Sequence, residues 1–436
     1  MADRMLARLD LRGNHRDLHR ALEPPRAERS DDGDARAAVR AIVDDVRAHG
    51  DAALREYTER FDGCVPERLR VPSPDLDRAL DGLARDVRDA LEFAADQIRA
   101  YHRLQDVPEI RTVRSGIKAH EVVRPVDRAG LYAPGGRAPL ASTVLMTAIP
   151  ARVAGVPEIA LCVPPGEDGR VHEVMLAAAA LGEVDEVYAV GGAQAIAALA
   201  YGTETIPAVD VVVGPGNKYV ALAKQEVAGV VGIESTAGPS ELVVLTDGSA
   251  PPEYVAIDLM AQAEHGPDGA AIVVAWDENV LDAVDHELAR LVAEAPRRAE
   301  IEQTMTRGGR SVLVDDASHA VQLANAVAPE HLELMVAGPE RLVEGVRNAG
   351  AVFCGEWAPA VIGDYVAGTN HVLPTARSAR FASALRVDDF RKHIHVVGLD
   401  RDALKRVADR VTTLAHVEGL DAHAETITMR VGGDNR

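Results

Sequence analysis

Apolar residues recur at intervals of three and four along residues 34–61, at Val39, Ile42, Val43, Val46 and Leu54, with a break at Gly50. The same spacing returns at Leu80, Leu83, Val87, Leu91, Ile98 and Tyr101. The N-terminal region is therefore predicted to be mostly helical. Further along, the pattern changes: short β-rich runs at 159–163, 187–190, 211–213, 242–245, 271–275, 311–314 and 351–354 alternate with helical stretches. Such alternation predicts an α/β fold in which parallel strands are joined by crossover helices. From residue 386 a strand-like 393–399, a helical 402–416 and a tail from Val417 read as an appended piece.

Composition narrows the function classes. At 436 residues the chain is long enough for two or three domains, and its few aromatic residues leave the core to Ala, Val, Leu and Ile. The formal charge of −21, with Lys118, Lys218, Lys224, Lys392 and Lys405 as the lysines, argues against a nucleic-acid binder, which needs a basic footprint. Extreme acidity with little Lys keeps a surface solvated in salt, so a halophilic protein of a high-salt cytoplasm is expected. The longest apolar stretch, 140–164, is cut by Pro150, Arg152, Pro157 and Glu158, which excludes a membrane-spanning helix. The N-terminal residues mix charges and lack the apolar core of a signal peptide, so nothing directs export. Cys64, Cys162 and Cys354 are widely spaced and form no CxxC pair, which suggests neither disulfides nor a thiolate metal site.

Two strands run directly into glycine turns: Val-Gly-Gly-Ala-Gln (190–194) and Gly-Pro-Gly-Asn (214–217). Turns of this kind aim backbone amides at an anion, although neither is the GxGxxG fingerprint. Gln194 and Asn217 suit hydrogen bonds to a dinucleotide and equally suit capping of their own helices. The richest chemistry lies in Ala-Pro-Glu-His-Leu-Glu (328–333), Gly-Asp-Tyr (363–365) and Gly-Thr-Asn-His (368–371). Adjacent Glu330 and His331 can serve one cleft only at the end of an element, and Pro329 supplies that break. Gln262 and His265, three apart, are predicted on one face of a helix ending at Gly266-Pro267, where an amide oxygen and an imidazole can grip one ion. Asp364 and His423 would complete a mixed N/O set suited to zinc or another divalent metal. Each of these residues also has an ordinary structural reading as a cap or loop residue.

Taken in order, Gly-Leu-Tyr-Ala-Pro-Gly-Gly (130–136), Ser-Thr-Val-Leu-Met (142–146), Val-Gly-Gly-Ala-Gln-Ala-Ile (190–196), Gly-Pro-Gly-Asn (214–217), Ala-Gly-Pro-Ser-Glu (237–241), Gln-Ala-Glu-His-Gly-Pro-Asp (262–268), the Glu330–His331 motif and Gly-Thr-Asn-His-Val-Leu-Pro-Thr (368–375) resemble histidinol dehydrogenases over nearly the whole chain. The resemblance implies a four-electron oxidation of L-histidinol to L-histidine through L-histidinal, the last steps of histidine biosynthesis, with NAD and one zinc ion. It implies zinc on Gln262, His265, Asp364 and His423, and NAD contacts from Tyr132, Gln194 and Asn217. The substrate would meet Ser240, Gln262, His265, His331, Asp364, Glu418 and His423. Glu330 and His331 would be the catalytic pair, with His331 the base for each hydride step and Glu330 the activator of water. A cytoplasmic homodimer is implied, in which the tail carrying Glu418 and His423 enters the partner's site. So is a division into an N-terminal arm (1–24), a discontinuous main α/β domain (25–131 and 241–385), an NAD-binding-type α/β domain (132–240) and a C-terminal tail domain (386–436). Both α/β domains are expected to be incomplete Rossmann-like parallel sheets.

The chain departs from the family at Ala360, where an acid is expected before Gly-Asp-Tyr; Glu356 is the nearest replacement. The stretch between Asn217 and Ser240 is also a few residues short. His371 reads as a further substrate-side group or as loop structure. Competing readings are a dehydrogenase for another amino alcohol, a zinc hydrolase with Glu330 activating water, and a metal-binding dimer without catalysis.

Overall fold

The computed structural model describes residues 4–16, 18, 33–135, 138–235, 238, 240–264, 266 and 268–432. Its strands, in chain order, are β1 (Ala7–Asp10), β2 (Arg111–Arg114), β3 (Ile117–Pro125), β4 (Arg128–Tyr132), β5 (Glu158–Val163), β6 (Glu186–Ala189) and β7 (Val211–Val213). They continue with β8 (Gly232–Ile233), β9 (Glu241–Thr246), β10 (Ala270–Ala275), β11 (Gly309–Leu313), β12 (His331–Met335), β13 (Ala351–Cys354) and β14 (Arg391–Gly398). The chain separates into a large unit, 1–104 with 127–390, and a small one, 105–126 with 391–436.

The large unit holds two parallel sheets, ordered β1-β11-β10-β9-β12-β13 and β6-β5-β4-β7-β8. Both are mixed with helices, as the alternating apolar runs predict. In the six-stranded sheet, alternate residues of β9 and β10 pack on opposite faces. Leu242, Val244, Val273 and Ala275 meet the helices Pro252–Ala263 and Glu278–Glu294, whereas Val243, Leu245, Ile272 and Val274 meet Ala317–Val327. Burial on both faces explains why these strands read as unbroken apolar runs rather than alternating ones. The five-stranded sheet packs against Gly33–His49, Gly192–Tyr201 and Lys218–Val227. Small side chains on Gly192–Tyr201 allow close approach, which a core poor in aromatics requires.

The small unit is an antiparallel sheet ordered β14-β3-β2 with two helices, Arg401–Val417 and Asp421–Val431. Asp400 caps the first helix by accepting the N–H of Ala403. Val411, Leu414, Val417, Leu420 and Met429 are exposed on this pair of helices. Among the described residues no helix is long and apolar enough to cross a membrane.

Four helices, Gly33–His49, Asp51–Asp62, Ser73–Gly82 and Arg85–Arg103, make the N-terminal region mostly helical, with one difference: β1 lies at the edge of the six-stranded sheet, paired with β11. Its four residues are too few to show a period of their own, and the distant partner decides their conformation.

Candidate functional site

Glu330 and His331 sit where the sequence pattern requires, at an element's end. Helix Ala317–Val327 stops at Ala328, whose backbone is left-handed (φ 52°); Pro329 follows and β12 begins at His331. The carbonyl of Glu330 accepts the N–H of Ala351 (2.9 Å), tying it to the start of β13. Its Oε2 accepts the N–H of Glu241 (3.2 Å), and the Ser240 hydroxyl hydrogen-bonds to the same carboxyl group. Both Glu330 and His331 are buried, with His331 Nδ1 3.7 Å from Glu330 Oε2.

Burial pushes the Glu330 carboxyl up to about 8, and the charges of Glu241 and Asp364 act in the same direction. Glu241 is itself raised to about 7 by burial, against the opposing influence of the Ala376 backbone and Arg377. Glu330 is therefore a neutral acid near pH 7 until a positive charge arrives beside it.

His331 lines a small cavity of about 20 Å³ with Gln262, Asp364, Asp258 and Glu333. That volume holds one water- or ion-sized occupant. Gln262 lies in the last turn of Pro252–Ala263, and its buried Nε2 has no hydrogen-bond partner among the described residues. The helix ends at Ala263, with Glu264 as its cap, not at Gly266-Pro267 as the Gln262/His265 pattern predicts; the helical spacing stops one turn early. His265 lies outside the described residues. Buried Thr304 places its hydroxyl 3.1 Å from the carbonyls of both Ala263 and Gly266.

Asp364 reaches the cavity because of the residue before it. A Cβ on Gly363 would come within 2.7 Å of the Phe353 ring, so only glycine lets helix Ala360–Tyr365 lie this close to β13. Phe353 in turn lies 6.0 Å, centre to centre, from the His331 ring. His371 Nδ1 is 3.0 Å from the Asp364 carbonyl oxygen and its Nε2 is 3.3 Å from Thr143 Oγ1, so it ties down the segment that carries Asp364.

Asp258 and Glu333 are site residues that the motif reading missed. Asp258 stands four before Gln262 on one helix face and Glu333 two after His331 on one strand face, so the spacing was available. Their carboxyls are hydrogen-bonded together, and burial, with Asp258's charge beside it, holds Glu333 protonated. Glu333 Oε1 accepts the N–H of Ala360 (2.7 Å). The acid missing from position 360 thus has Glu333 and Asp258 against its backbone and in the cavity wall, a place Glu356 does not take.

The dinucleotide candidates lie at the carboxyl ends of the five-stranded sheet. Tyr132 ends β4; it is buried, burial pushes its phenol up, and its hydroxyl accepts the Gly192 N–H (3.2 Å). Gln194 is fully buried and neither end of its amide has a partner among the described residues. Asn217 does cap its own helix, accepting the N–H groups of Tyr219 and Val220 at 3.0 and 3.1 Å. The preceding turn needs glycine: Gly214 has φ 120° and a Cβ there would lie 2.0 Å from the Tyr132 carbonyl oxygen. Buried Lys224 holds this turn, with Nζ 2.6 Å from Glu234 Oε1 and 3.2 Å from the Gly214 carbonyl, while the Gly214 N–H donates to the same Glu234 oxygen (2.8 Å). Glu418 and His423 belong to the small unit and are exposed there.

The sequence model of the histidinol dehydrogenase family matches residues 25–431. The chain is 50% identical over 398 residues to a histidinol dehydrogenase of a Synechococcus species, covering 90% of this chain and 92% of that one. It is 48% identical over 433 residues to that of Thermobifida fusca, covering 98% of each. Its fold matches the crystal structure of histidinol dehydrogenase from Elizabethkingia anophelis with a TM-score of 0.93 at 33% identity, over 100% of both chains. On its motifs, its fold and these relatives, the chain belongs to the histidinol dehydrogenase family of oxidoreductases.

Proposed function

We propose that this protein oxidises L-histidinol to L-histidine through L-histidinal, with two NAD molecules and one zinc ion, in the cytoplasm. The observation that carries the reading is the meeting of His331, Gln262 and Asp364 around one small cavity, with the Glu330 carboxyl 3.7 Å from His331 Nδ1. Gln262, through its amide oxygen, and Asp364, both in the cavity wall, fit a divalent ion; His265 and His423 are the proposed remaining ligands. Gln194, with a buried amide that makes no hydrogen bond to a described residue, fits a dinucleotide beside Tyr132 and Asn217. Bound there, NAD would supply the hydride acceptor for each half-reaction, and zinc held by the proposed ligands would supply a positive charge to orient the substrate.

The residues' part follows from their protons. The His331 imidazole takes the hydroxyl proton of histidinol as the carbinol C–H electron pair departs, leaving the aldehyde. The imidazolium so formed stands 3.7 Å from Glu330 Oε2. At an effective dielectric constant of about 20 the attraction is roughly 4 kcal/mol, enough to lower the Glu330 pKa by about three units. Glu330, neutral at rest, thereby becomes a carboxylate when water must be deprotonated to attack the aldehyde. Once His331 has released its first proton to solvent, the hydrate loses a hydroxyl proton to it as the second hydride leaves for the second NAD, giving the acid. Ser240, Glu418 and the metal ligands are the proposed substrate contacts. The exposed apolar residues of helices Arg401–Val417 and Asp421–Val431 support a partner-covered surface there, in a homodimer whose tails complete each other's sites.

The test is the NADH formed per L-histidinol consumed, in concentrated salt, with and without a zinc chelator. A ratio near two that collapses on chelation supports the reading. No NADH with L-histidinol would overturn it.

A further inference from the structure

We propose that His15, Asp315 and His319 form a second divalent-metal site, separate from the catalytic one, that fastens the segment after β1 to the sheet. The cluster lies at the carboxyl edge of the six-stranded sheet, whereas Glu330 and His331 lie at the amino end of β12. Beyond the strands, the Leu11 N–H donates to the Leu313 carbonyl (2.8 Å), and the Asn14 N–H turns back to the Leu11 carbonyl (2.9 Å). This turn brings His15 over Asp315. His319 enters from the first turn of helix Ala317–Val327, where its N–H is capped by Asp316 (2.8 Å).

One oxygen organises the cluster. Asp315 Oδ2 is 3.0 Å from His319 Nδ1 and 3.3 Å from His15 Nε2, and it also accepts the N–H of Gly13 (2.9 Å). The three ligand atoms all lie within 4.8 Å of one another. Ligands about 2.05 Å from a tetrahedral zinc ion are separated by roughly 3.3 Å, so the two short separations match the edges of such a site. The imidazole rings are 4.1 Å apart, centre to centre, at 34°. A neutral imidazole donates through one nitrogen, which is enough for His15 to bond Asp315, but His319 faces an acceptor with each nitrogen, Asp315 Oδ2 and the Asn14 carbonyl, and one N–H serves only one of them. A divalent cation shared by His319 Nδ1, His15 Nε2 and Asp315 Oδ2 would satisfy the contact left over.

The other nitrogen of His319 supports the assignment. Nε2 faces the Asn14 carbonyl at 3.0 Å, an acceptor that orients the ring by taking its N–H; Nδ1 is then an acceptor, approached by the Asp315 N–H at 3.3 Å, and a metal would take its lone pair in place of that long hydrogen bond. His319 is 1% exposed, so the ligand is held rigidly, whereas His15 and Asp315 are exposed and give an ion access from solvent. Two imidazoles and one carboxylate, with a fourth position open to water, suit Zn²⁺ or Co²⁺ better than Mg²⁺ or Ca²⁺.

The experiment is native mass spectrometry of the full-length protein titrated with Zn²⁺, repeated by Co²⁺ absorption, on wild type, His15→Ala and His423→Ala. Wild type should take up one more ion per chain than its catalytic complement, with a rise in Tm on adding Zn²⁺. His15→Ala, an exposed residue outside the catalytic machinery, should bind this ion at least tenfold more weakly, lose the rise in Tm and keep wild-type turnover. His423→Ala should lose the other ion and keep this one. Equal Zn²⁺ uptake and equal affinity in wild type and His15→Ala would overturn the proposal; loss of neither ion in His423→Ala would instead count against the proposed catalytic ligand set.

Discussion

Glu330 is useful because it is reluctant to ionise. Its pKa of about 8 in the fold, against an ordinary 4.5, means that the folded protein holds a proton that the unfolded chain has lost. The associated stability is fully present below pH 4.5 and disappears as pH rises through 8. Glu330→Gln should therefore flatten the fall in Tm between pH 6 and 9, and parallel profiles for variant and wild type would contradict the burial argument. In turnover the same variant should slow the water-requiring half-reaction by about 10²- to 10⁴-fold, so that NADH per histidinol drops from about two toward one. Gly363 makes a steric point: Gly363→Ala puts a methyl group against Phe353 and should cost about 1–3 kcal/mol, visible as a lower denaturation midpoint. Because that helix carries Asp364, zinc affinity should fall with stability; a variant with unchanged metal affinity would show that Asp364 is positioned otherwise. Glu330, His331, Gln262 and Asp364 were legible from motifs. Asp258 and Glu333 have legible spacings to Gln262 and His331, but what joins them is a hydrogen bond between two elements, and no single run of sequence displays that.

At the level of elements, periodicity gave the long helices and the two-face-buried strands, since apolar runs such as 242–245 and 271–275 report directly on burial. It failed for β1 and β12. Four residues at 7–10 acquire strand geometry only from β11, and His331–Met335 carries charged residues for the cavity among its apolar ones. The end of helix Pro252–Ala263 was misread because Gln262 and His265 are as compatible with a helix terminus as with its continuation. The turn at 214–217 was legible as a glycine turn, but its support was not: Lys224, one helix later, neutralises Glu234 inside the protein. Lys224→Met would leave that carboxylate buried and uncompensated, at a cost of about 3–5 kcal/mol. The expected outcome is a lower Tm together with a raised KM for NAD, while the KM for histidinol changes little. A variant in which only Tm moves would separate this ion pair from dinucleotide binding.

Across the molecule, the proposed sharing of sites between subunits predicts complementation. A chain with Glu330→Gln and a chain with His423→Ala should each be impaired; unfolded together and reassembled, they form mixed dimers in which one site is intact. Random pairing restores roughly a quarter of wild-type sites. No recovery, with mixed dimers present by mass, would mean that each chain completes its own site. The acidic surface belongs to this scale as well: a formal charge of −21 is self-repelling in dilute buffer, so the protein should be more stable in concentrated salt. The edge position of β1 bears on the order in which the protein is made. Its hydrogen-bonding partner, β11, is translated about 300 residues later, which at roughly 5–20 residues per second is a wait of some 15–60 s. Until then the nascent chain carries an unpaired strand, and the six-stranded sheet cannot close its edge until most of the polypeptide has left the ribosome. The first of the described strands is thus secured only after β9, β10 and β11 have been made, which ties the outermost edge of the sheet to the chain as far as residue 313.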